Sequence, residues 1–330
     1  MIKILTYSHK RPDFIKLQYE SIKKHLKSEY EYIVFNNSID SIDNYNEIHR
    51  ICKELNIKCV DVELDEELRI THNELNYTSN RYTNPNLACS YPLIWTFKKF
   101  LSKDDDIICI IDSDMFFIND IDIYDKIKDK DLIYIPQYRT INVKYAWNAF
   151  ICLNIKKCPE LLNFDWHPGQ VNGMACDVGG QTHHNLLNGN YDCEIIEEYS
   201  VRDIIKNKED FLVNYIQNGN VNYDLIIGQN NELISCKHTN GYKMFENKSF
   251  PHENDKINYY EYLHNRVISI LSFLVTKNVN LPDPKHIGFI GFMNSDDFFI
   301  LHYKSGSNYL DFTTDKYNLM KTQELIKILK

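Results

Sequence analysis

Two carboxylates close an apolar run about one third of the way along the chain. The run is Ile107–Ile111, and Asp112 and Asp114 follow it with only Ser113 between them. Residues i and i+2 of an extended chain point to the same side, so this spacing predicts that both carboxylates converge on one point. Mg²⁺ and Mn²⁺ take oxygen ligands of this kind and leave further positions for phosphate and water. The pair therefore predicts a metal site whose ion neutralises charge on a leaving diphosphate.

The same pair has a purely structural interpretation. Asp is common where a strand ends in a turn, so the motif alone is as compatible with a turn as with a metal site. Its place in the chain favours the metal site, because an α/β segment of the size needed to bind a nucleotide precedes it.

That segment consists of apolar runs that alternate with helical patterns. Residues 2–7, 32–35, 58–64 and 107–111 are predicted strands, and the three stretches between them carry apolar residues at helical spacing. This order is typical of a mostly parallel sheet covered by helices. Right-handed crossovers then place the carboxyl ends of the strands along one edge, where such sheets bind ligands.

Beyond residue 118 the pattern becomes mixed. Residues 132–135, 149–153 and 287–303 are predicted strands, residues 258–276 and 315–329 are predicted helices, and residues 65–84 are a predicted long loop. We expect residues 1–118 to bind the nucleotide and residues 119–330 to bind the acceptor and complete the site. With 330 residues, of which 43% are hydrophobic, one large elaborated unit and two domains both fit.

Composition narrows the class of partner. The net charge is −9 and the isoelectric point about 5.7, which disfavours a general nucleic-acid-binding surface. Nine scattered cysteines without a CxxC pair indicate reduced thiols in the cytoplasm. The first residues enter a strand directly, which predicts no signal peptide, and no apolar stretch reaches the length of a membrane span.

The acidic pair and the order of elements resemble the glycosyltransferases of the GT-A type, whose Rossmann-like first half ends in an Asp-x-Asp motif. Thr6-Tyr7-Ser8, followed by Arg11-Pro12-Asp13-Phe14, is similar to their first strand and nucleotide-facing loop. The resemblance implies an α/β GT-A fold with a mixed α+β acceptor-side half. It also implies Mn²⁺ or Mg²⁺ as cofactor and a nucleotide-sugar donor. Uridine is the favoured nucleoside of that donor, and guanosine is the alternative. The acceptor would be a glycan, a glycoprotein or another hydroxyl compound.

Three later segments resemble the glycogenin-like branch of that family. Asn148 stands where the branch has an Asn that contacts the donor sugar, although Phe150 replaces its Gly. Asp177 stands where the branch has an acidic sugar-contacting motif. His302 matches the third protein ligand of the metal, and Lys304 and Gly306 match residues that meet the diphosphate, although the spacing to the Gly is one residue longer.

Together these patterns assign a role to each candidate residue. Asp112, Asp114 and His302 are expected to bind the metal, and Asp177 and Asn148 are expected to act in catalysis, with retention of configuration slightly favoured over inversion. Tyr7 is the candidate to stack on the base. The donor is expected to contact the following residues: Thr6, Tyr7, Ser8, Asn36, Asp112, Ser113, Lys304 and Gly306.

Most of these residues also have a structural alternative. Asn148 can satisfy a turn, His302 can be a hydrogen-bonded core histidine, and Asp177 can cap a helix over residues 182–187. Gly179-Gly180 can be a tight turn. His183-His184 is expected to lie exposed in a loop.

Other functions compete with glycosyl transfer. Haloacid-dehalogenase-like phosphatases also carry Asp-x-Asp after a strand, but on their first strand, whereas three strand–helix units precede the motif here. A protein that binds a nucleotide or sugar on a transferase fold without catalysis is a second alternative. A nucleotidyltransferase is a third, although no Gly-rich phosphate loop occurs near the N-terminus.

Overall fold

The computed structural model describes residues 1–9, 11–38, 40–63, 65, 85–140, 142–200, 289–294, 297–303 and 329. The chain divides into two compact units, Met1–Ile196 and Glu197–Lys330. The first unit extends past residue 118, because its sheet includes later strands. The division by role at residue 118 stays a prediction.

The first unit opens with the expected alternation of strands and helices. Its elements are β1 (Ile2–Ser8), α1 (Pro12–His25), β2 (Tyr30–Asn36), α2 (Ile42–Glu54), β3 (Lys58–Asp61), α3 (Pro85–Trp95) and β4 (Ile107–Ile111). Helix α1 begins at a proline, which needs no hydrogen-bond partner in the first turn, and three basic residues occupy its last turn beside the negative helix end. A π-helical turn, Thr96–Phe100, extends α3.

The rest of this unit is mixed, as expected. It contains β5 (Met115–Phe117), α4 (Ile123–Ile127), β6 (Leu132–Thr140), β7 (Val143–Asn154), a 3₁₀ helix (Pro159–Asn163), β8 (Gly169–Val171), β9 (Met174–Cys176), α5 (Thr182–Asn188) and β10 (Cys193–Ile195).

Seven of these strands form one twisted sheet in the order β10-β6-β7-β4-β1-β2-β3. The pairs among β3, β2, β1 and β4 are parallel, and so is the pair of β10 with β6. Strand β7 runs antiparallel to both neighbours, β4 and β6. The expectation of a mainly parallel α/β sheet is confirmed, with β7 as the reversal. Ser8 of β1 lies opposite Asn36 of β2, so both strands end at the same edge.

The core supports this edge. All five residues of β4 are buried, and the sheet face beside α3 is filled by large apolar side chains such as Phe35, Trp95 and Trp166. Phe35 lies edge-on to Trp95, with 6.3 Å between the ring centroids. Burial on this scale stabilises by roughly 25 cal/mol per Å² of apolar surface and leaves little freedom for the strand end that carries the acidic pair.

In the second unit, β11 (Glu197–Ser200), β12 (Phe289–Asn294) and β13 (Asp297–Tyr303) pair antiparallel in that order. The predicted return to strand over residues 287–303 is confirmed for these bounds. The predicted helices at 258–276 and 315–329 and most of the predicted loop at 65–84 lie outside the described residues. None of the helices among the described residues has the length and apolar run that a membrane span needs.

Candidate active site

The acidic pair lies on a turn at the carboxyl end of β4. The backbone N–H of Met115 donates to the carbonyl of Asp112 at 3.0 Å, which closes a four-residue turn over residues 112–115, here called the acidic turn. The predicted extended geometry is therefore wrong, because the chain reverses at once to enter β5. The turn still brings the pair together, since Asp112 and Asp114 each offer a carboxylate oxygen within 4.8 Å of the other. Asp114 is 7% exposed and Asp112 is half-buried.

Strand β7 holds one side of the acidic turn. The N–H of Asp112 donates to the carbonyl of Ala149 at 2.8 Å. At this point β7 bulges, because Tyr134 and Ile135 of β6 pair with Ile151 and Trp147, which leaves residues 148–150 between them. The bulge places Asn148, which is 6% exposed, directly before the residue that holds Asp112.

Helix α1 holds the other side through Gln18. Its side-chain amide donates to the carbonyls of Asp112 at 2.7 Å and Met115 at 2.8 Å, so one side chain is hydrogen-bonded to both ends of the turn. Its oxygen accepts from the hydroxyl of Tyr32 at 2.7 Å. Sequence analysis missed Gln18. The signal was present, because Gln18 falls on the apolar face of α1 between Ile15 and Ile22, where a polar residue needs a partner.

The predicted nucleoside-facing residues lie at the carboxyl end of β1. The hydroxyl oxygens of Thr6 and Ser8 are buried and have no hydrogen-bond partner among the residues that the structure describes. The ring of Tyr7 contacts Phe35, with 5.3 Å between the centroids. Burial raises the pKa of Tyr7, and the negative charge of Asp112 raises it further, which places Tyr7 in the electrostatic field of the acidic turn.

Asn36 shapes the loop that follows β2. Its side-chain amide donates to the carbonyl of Tyr45 at 3.2 Å, and its side-chain oxygen accepts from the N–H of Ser38 at 3.2 Å. The N–H of Asn37 donates to the carbonyl of Ser8 at 3.0 Å. These contacts tie the ends of β1 and β2 together at the sheet edge.

Asp177 lies in a loop that packs tightly on β7. Gly179 has φ +82°, and a Cβ there would overlap the carbonyl oxygen of Ala146. The hydroxyl of Thr182 bridges the strand and the loop. It accepts from the N–H of Ala146 at 2.9 Å and donates to the carbonyl of Gly179 at 2.6 Å. The glycine thus permits a close approach two residues from Asn148.

The carboxylate of Asp177 does not cap the following helix. It accepts from the N–H of Val178 at 2.8 Å, while the residue that precedes α5 is Gln181. The capping alternative for Asp177 is therefore wrong.

Three carboxylates act together on one thiol at this edge. Cys89 on α3 is exposed, yet the density of protein around it, and after that the negative charges of Asp112, Asp177 and Asp114, raise the pKa of its thiol. Asp177 therefore lies close enough to the acidic turn for both to act on the same group. Negative charges that act on one common group attract cations to this edge of the sheet.

The remaining predicted residues divide into three cases. His302 lies on β13 opposite Ile290 and is 5% exposed, and its role as a metal ligand stays a prediction. Lys304 and Gly306 lie outside the described residues. The expectation for His183 is wrong, because it lies in α5, is 6% exposed and contacts the carbonyl of Lys144 through Nδ1 at 2.8 Å.

No protein-family model matches the sequence, and no curated protein matches it. Among solved structures, a similar chain is the galactosyltransferase LgtC in complex with donor and acceptor sugar analogues. That match has 12% sequence identity and a TM-score of 0.36, and it covers 61% of this chain and 74% of the other. A likeness this distant identifies neither family nor activity.

Proposed function

We propose that this chain is a metal-dependent glycosyltransferase that moves a sugar from a nucleoside diphosphate sugar to a hydroxyl acceptor. The acidic turn is the observation that carries the proposal. It sits at the carboxyl end of β4, beside β1 in a run of parallel strands, where sheets of this kind bind nucleotides. Two carboxylates on a turn that is held from both sides suit a hard divalent ion that also binds phosphate.

The ion we propose is Mn²⁺ or Mg²⁺. Asp114 would bind it directly, and Asp112 would reach it through water or hold the ribose of the donor. His302 would be the third protein ligand, which rests on the resemblance to the glycogenin-like branch. When bound, such an ion supplies Lewis-acid stabilisation of the charge that develops on the leaving diphosphate.

We further propose that the nucleoside of the donor binds where β1 and β2 end, and uridine is the nucleoside we favour. The buried hydroxyls of Thr6 and Ser8 are polar groups for which the described residues provide no partner, and the bound donor is the partner we propose. Tyr7 is the candidate to contact the base. Asn36 and Ser113 complete this part of the donor site, and Lys304 and Gly306 would meet the diphosphate.

Asp177 and Asn148 are the proposed catalytic residues. In the reaction the bond from the anomeric carbon to the phosphate oxygen breaks, the acceptor oxygen bonds to that carbon, and the acceptor hydroxyl gives its proton to the departing phosphate oxygen. Asn148 would hold the donor sugar, and Asp177 would position the sugar or the acceptor in a transfer that retains configuration. Proton NMR of the product linkage tests this, since an inverted linkage with near-complete loss of turnover in Asp177→Asn would make Asp177 a base instead.

The decisive test of the function is Asp114→Ala. We expect release of nucleoside diphosphate from the preferred nucleotide sugar to fall by about 10²–10³-fold or more, because a group that stabilises the leaving charge is lost. Circular dichroism should show an intact fold, and Asp104→Ala, at an exposed acid outside the site, should keep full activity. Chelation of divalent ions should reproduce the loss in the unaltered protein.

Two results would contradict the proposal. Normal turnover by Asp114→Ala, or normal turnover in chelator, would remove the metal from the reaction. Phosphate release from simple phosphomonoesters, without any turnover of nucleotide sugars, would favour the phosphatase alternative.

A further inference from the structure

A second group of metal-binding side chains lies between α2 and the edge strand β3. It consists of His49, Cys59 and Asp61, here called the edge cluster, whose ligand atoms all lie within 4.8 Å of one another. His49 comes from the helix, and the other two come from alternate positions of the strand, which therefore point to the same side. Nothing in the proposed transfer reaction uses these three residues.

The ligand types differ from those of the acidic turn. The edge cluster offers one imidazole nitrogen, one sulfur and one carboxylate oxygen, which is the set that Zn²⁺ prefers, whereas two carboxylates suit Mn²⁺ or Mg²⁺. The existing contacts already hold the ligand atoms in place, since Nε2 of His49 and Oδ1 of Asp61 are 2.8 Å apart. Bonds of about 2.0–2.3 Å in a tetrahedral arrangement place the ligand atoms roughly 3.3–3.8 Å apart, so the contact between His49 and Asp61 would lengthen as the ion enters.

Neighbouring side chains support His49. The ring of Tyr45 lies edge-on to the ring of His49, with 4.8 Å between the centroids. Cys52, one turn after His49 on α2, is buried and anchors this part of the helix in the core. The ring of Tyr45 and the buried turn of α2 limit the movement of His49, which favours a fixed orientation of this ligand.

The edge cluster is also accessible. The side chains of His49 and Asp61 are 39% and 42% exposed, so an ion can enter from solvent without unfolding the helix or the strand. An ion there would tie α2 to the last strand of the sheet.

From this geometry we propose that His49, Cys59 and Asp61 bind one zinc-class divalent ion, with water in the fourth position, at a site separate from the acidic turn.

Titration of the reduced protein with Co²⁺ tests the proposal, because a cobalt–thiolate bond gives a charge-transfer absorption that carboxylates cannot give. We expect this band to saturate at one Co²⁺ per chain and to be bleached by Zn²⁺. Cys59→Ser should abolish the band. Cys158→Ser removes another partly exposed thiol that lies beside a carboxylate, and it should leave the band unchanged.

Further variants keep the test independent of folding defects. His49→Gln and Asp61→Asn alter partly exposed residues that would each lose one ligand atom, and both should weaken binding of Co²⁺ by at least tenfold. Asp114→Ala should retain the band in full, so failure of the proposed transferase function would not affect this result. An unchanged band in Cys59→Ser, or the absence of a band in the reduced protein, would overturn the proposal.

Discussion

Gln18 is the residue on which the geometry of the acidic turn depends most directly. Its amide bridges the carbonyls of Asp112 and Met115, while its oxygen binds the hydroxyl of Tyr32. Because Gln18 is 1% exposed, water cannot replace these hydrogen bonds. Gln18 therefore stabilises the turn from the side of α1, together with the hydrogen bond from the N–H of Asp112 to β7.

Replacement of Gln18 by Met keeps the length of the side chain and removes all of its hydrogen bonds. We expect Gln18→Met to lower the free energy of unfolding by about 2–4 kcal/mol, since several buried polar groups lose a partner. The Mn²⁺ concentration that gives half-maximal activity should rise by about 10–100-fold, as when a group that orients a metal ligand is removed. Urea unfolding and metal titration measure the two effects.

Lys16→Met provides the control for this prediction, because it makes a similar change at an exposed position of the same helix. It should alter neither quantity. Wild-type stability and metal dependence in Gln18→Met would show that the acidic turn holds its shape without α1.

At the scale of elements, the loop that carries Asp177 is fixed by close packing on β7. Gly179 adopts a left-handed backbone, and its missing side chain makes room for the carbonyl of Ala146. The hydrogen bonds of Thr182 to both strand and loop close the contact. Asn148 and the loop of Asp177 are thereby held on the same strand, although 29 positions separate the two residues in sequence.

Substitution of two glycines distinguishes the energetic cost of backbone strain from the energetic cost of a steric clash. Gly179 has φ +82° and is tightly enclosed, whereas Gly173 has φ +78° and no atom within 4 Å of the position of a Cβ. We expect Gly173→Ala to destabilise by only about 1–2 kcal/mol, the cost of a left-handed backbone. Gly179→Ala should cost clearly more and should also reduce turnover, since β7 and the loop must move apart.

Urea unfolding of both variants checks this prediction. Equal losses of stability for Gly173→Ala and Gly179→Ala would mean that the loop is not tightly packed on β7. Full turnover by a destabilised Gly179→Ala would show that the position of the loop has no part in the reaction.

At the scale of the whole molecule, ligand binding should appear as a gain in stability. A nucleotide sugar that binds the folded chain at 100 times its Kd raises the free energy of unfolding by about 2.7 kcal/mol. We expect the matching nucleotide sugar with Mn²⁺ to raise Tm by a few degrees, because a gain of that size in the free energy of unfolding shifts Tm by about this much.

A panel of uridine, guanosine and other nucleotide sugars, each with and without Mn²⁺, measures this shift. The shift should depend on the metal and should be lost in Asp114→Ala. If no nucleoside diphosphate shifts Tm, the proposed function is contradicted.

Much of the first unit follows from local sequence patterns. The alternation of apolar runs and helical spacings predicted strands at β1, β2, β3 and β4 and helices between them, because backbone periodicity and burial are set by neighbouring residues. The same patterns located Asp112 and Asp114 at the end of β4. The later strands were predicted only in part, since short runs with many polar residues carry weaker periodicity.

Contacts between distant segments were decided only by the tertiary structure. Gln18 and Asp112 are 94 positions apart, and nothing local to either residue indicates the partner. Three other features depend on distant residues in the same way. They are the reversal of the chain after Asp112, the bulge of β7 and the approach of Gly179 to Ala146. The edge cluster also depends on how a helix packs on a strand. Local patterns choose elements through short-range sterics and burial, whereas the fit of packed elements depends on the complementarity of surfaces that the chain brings together only when it folds.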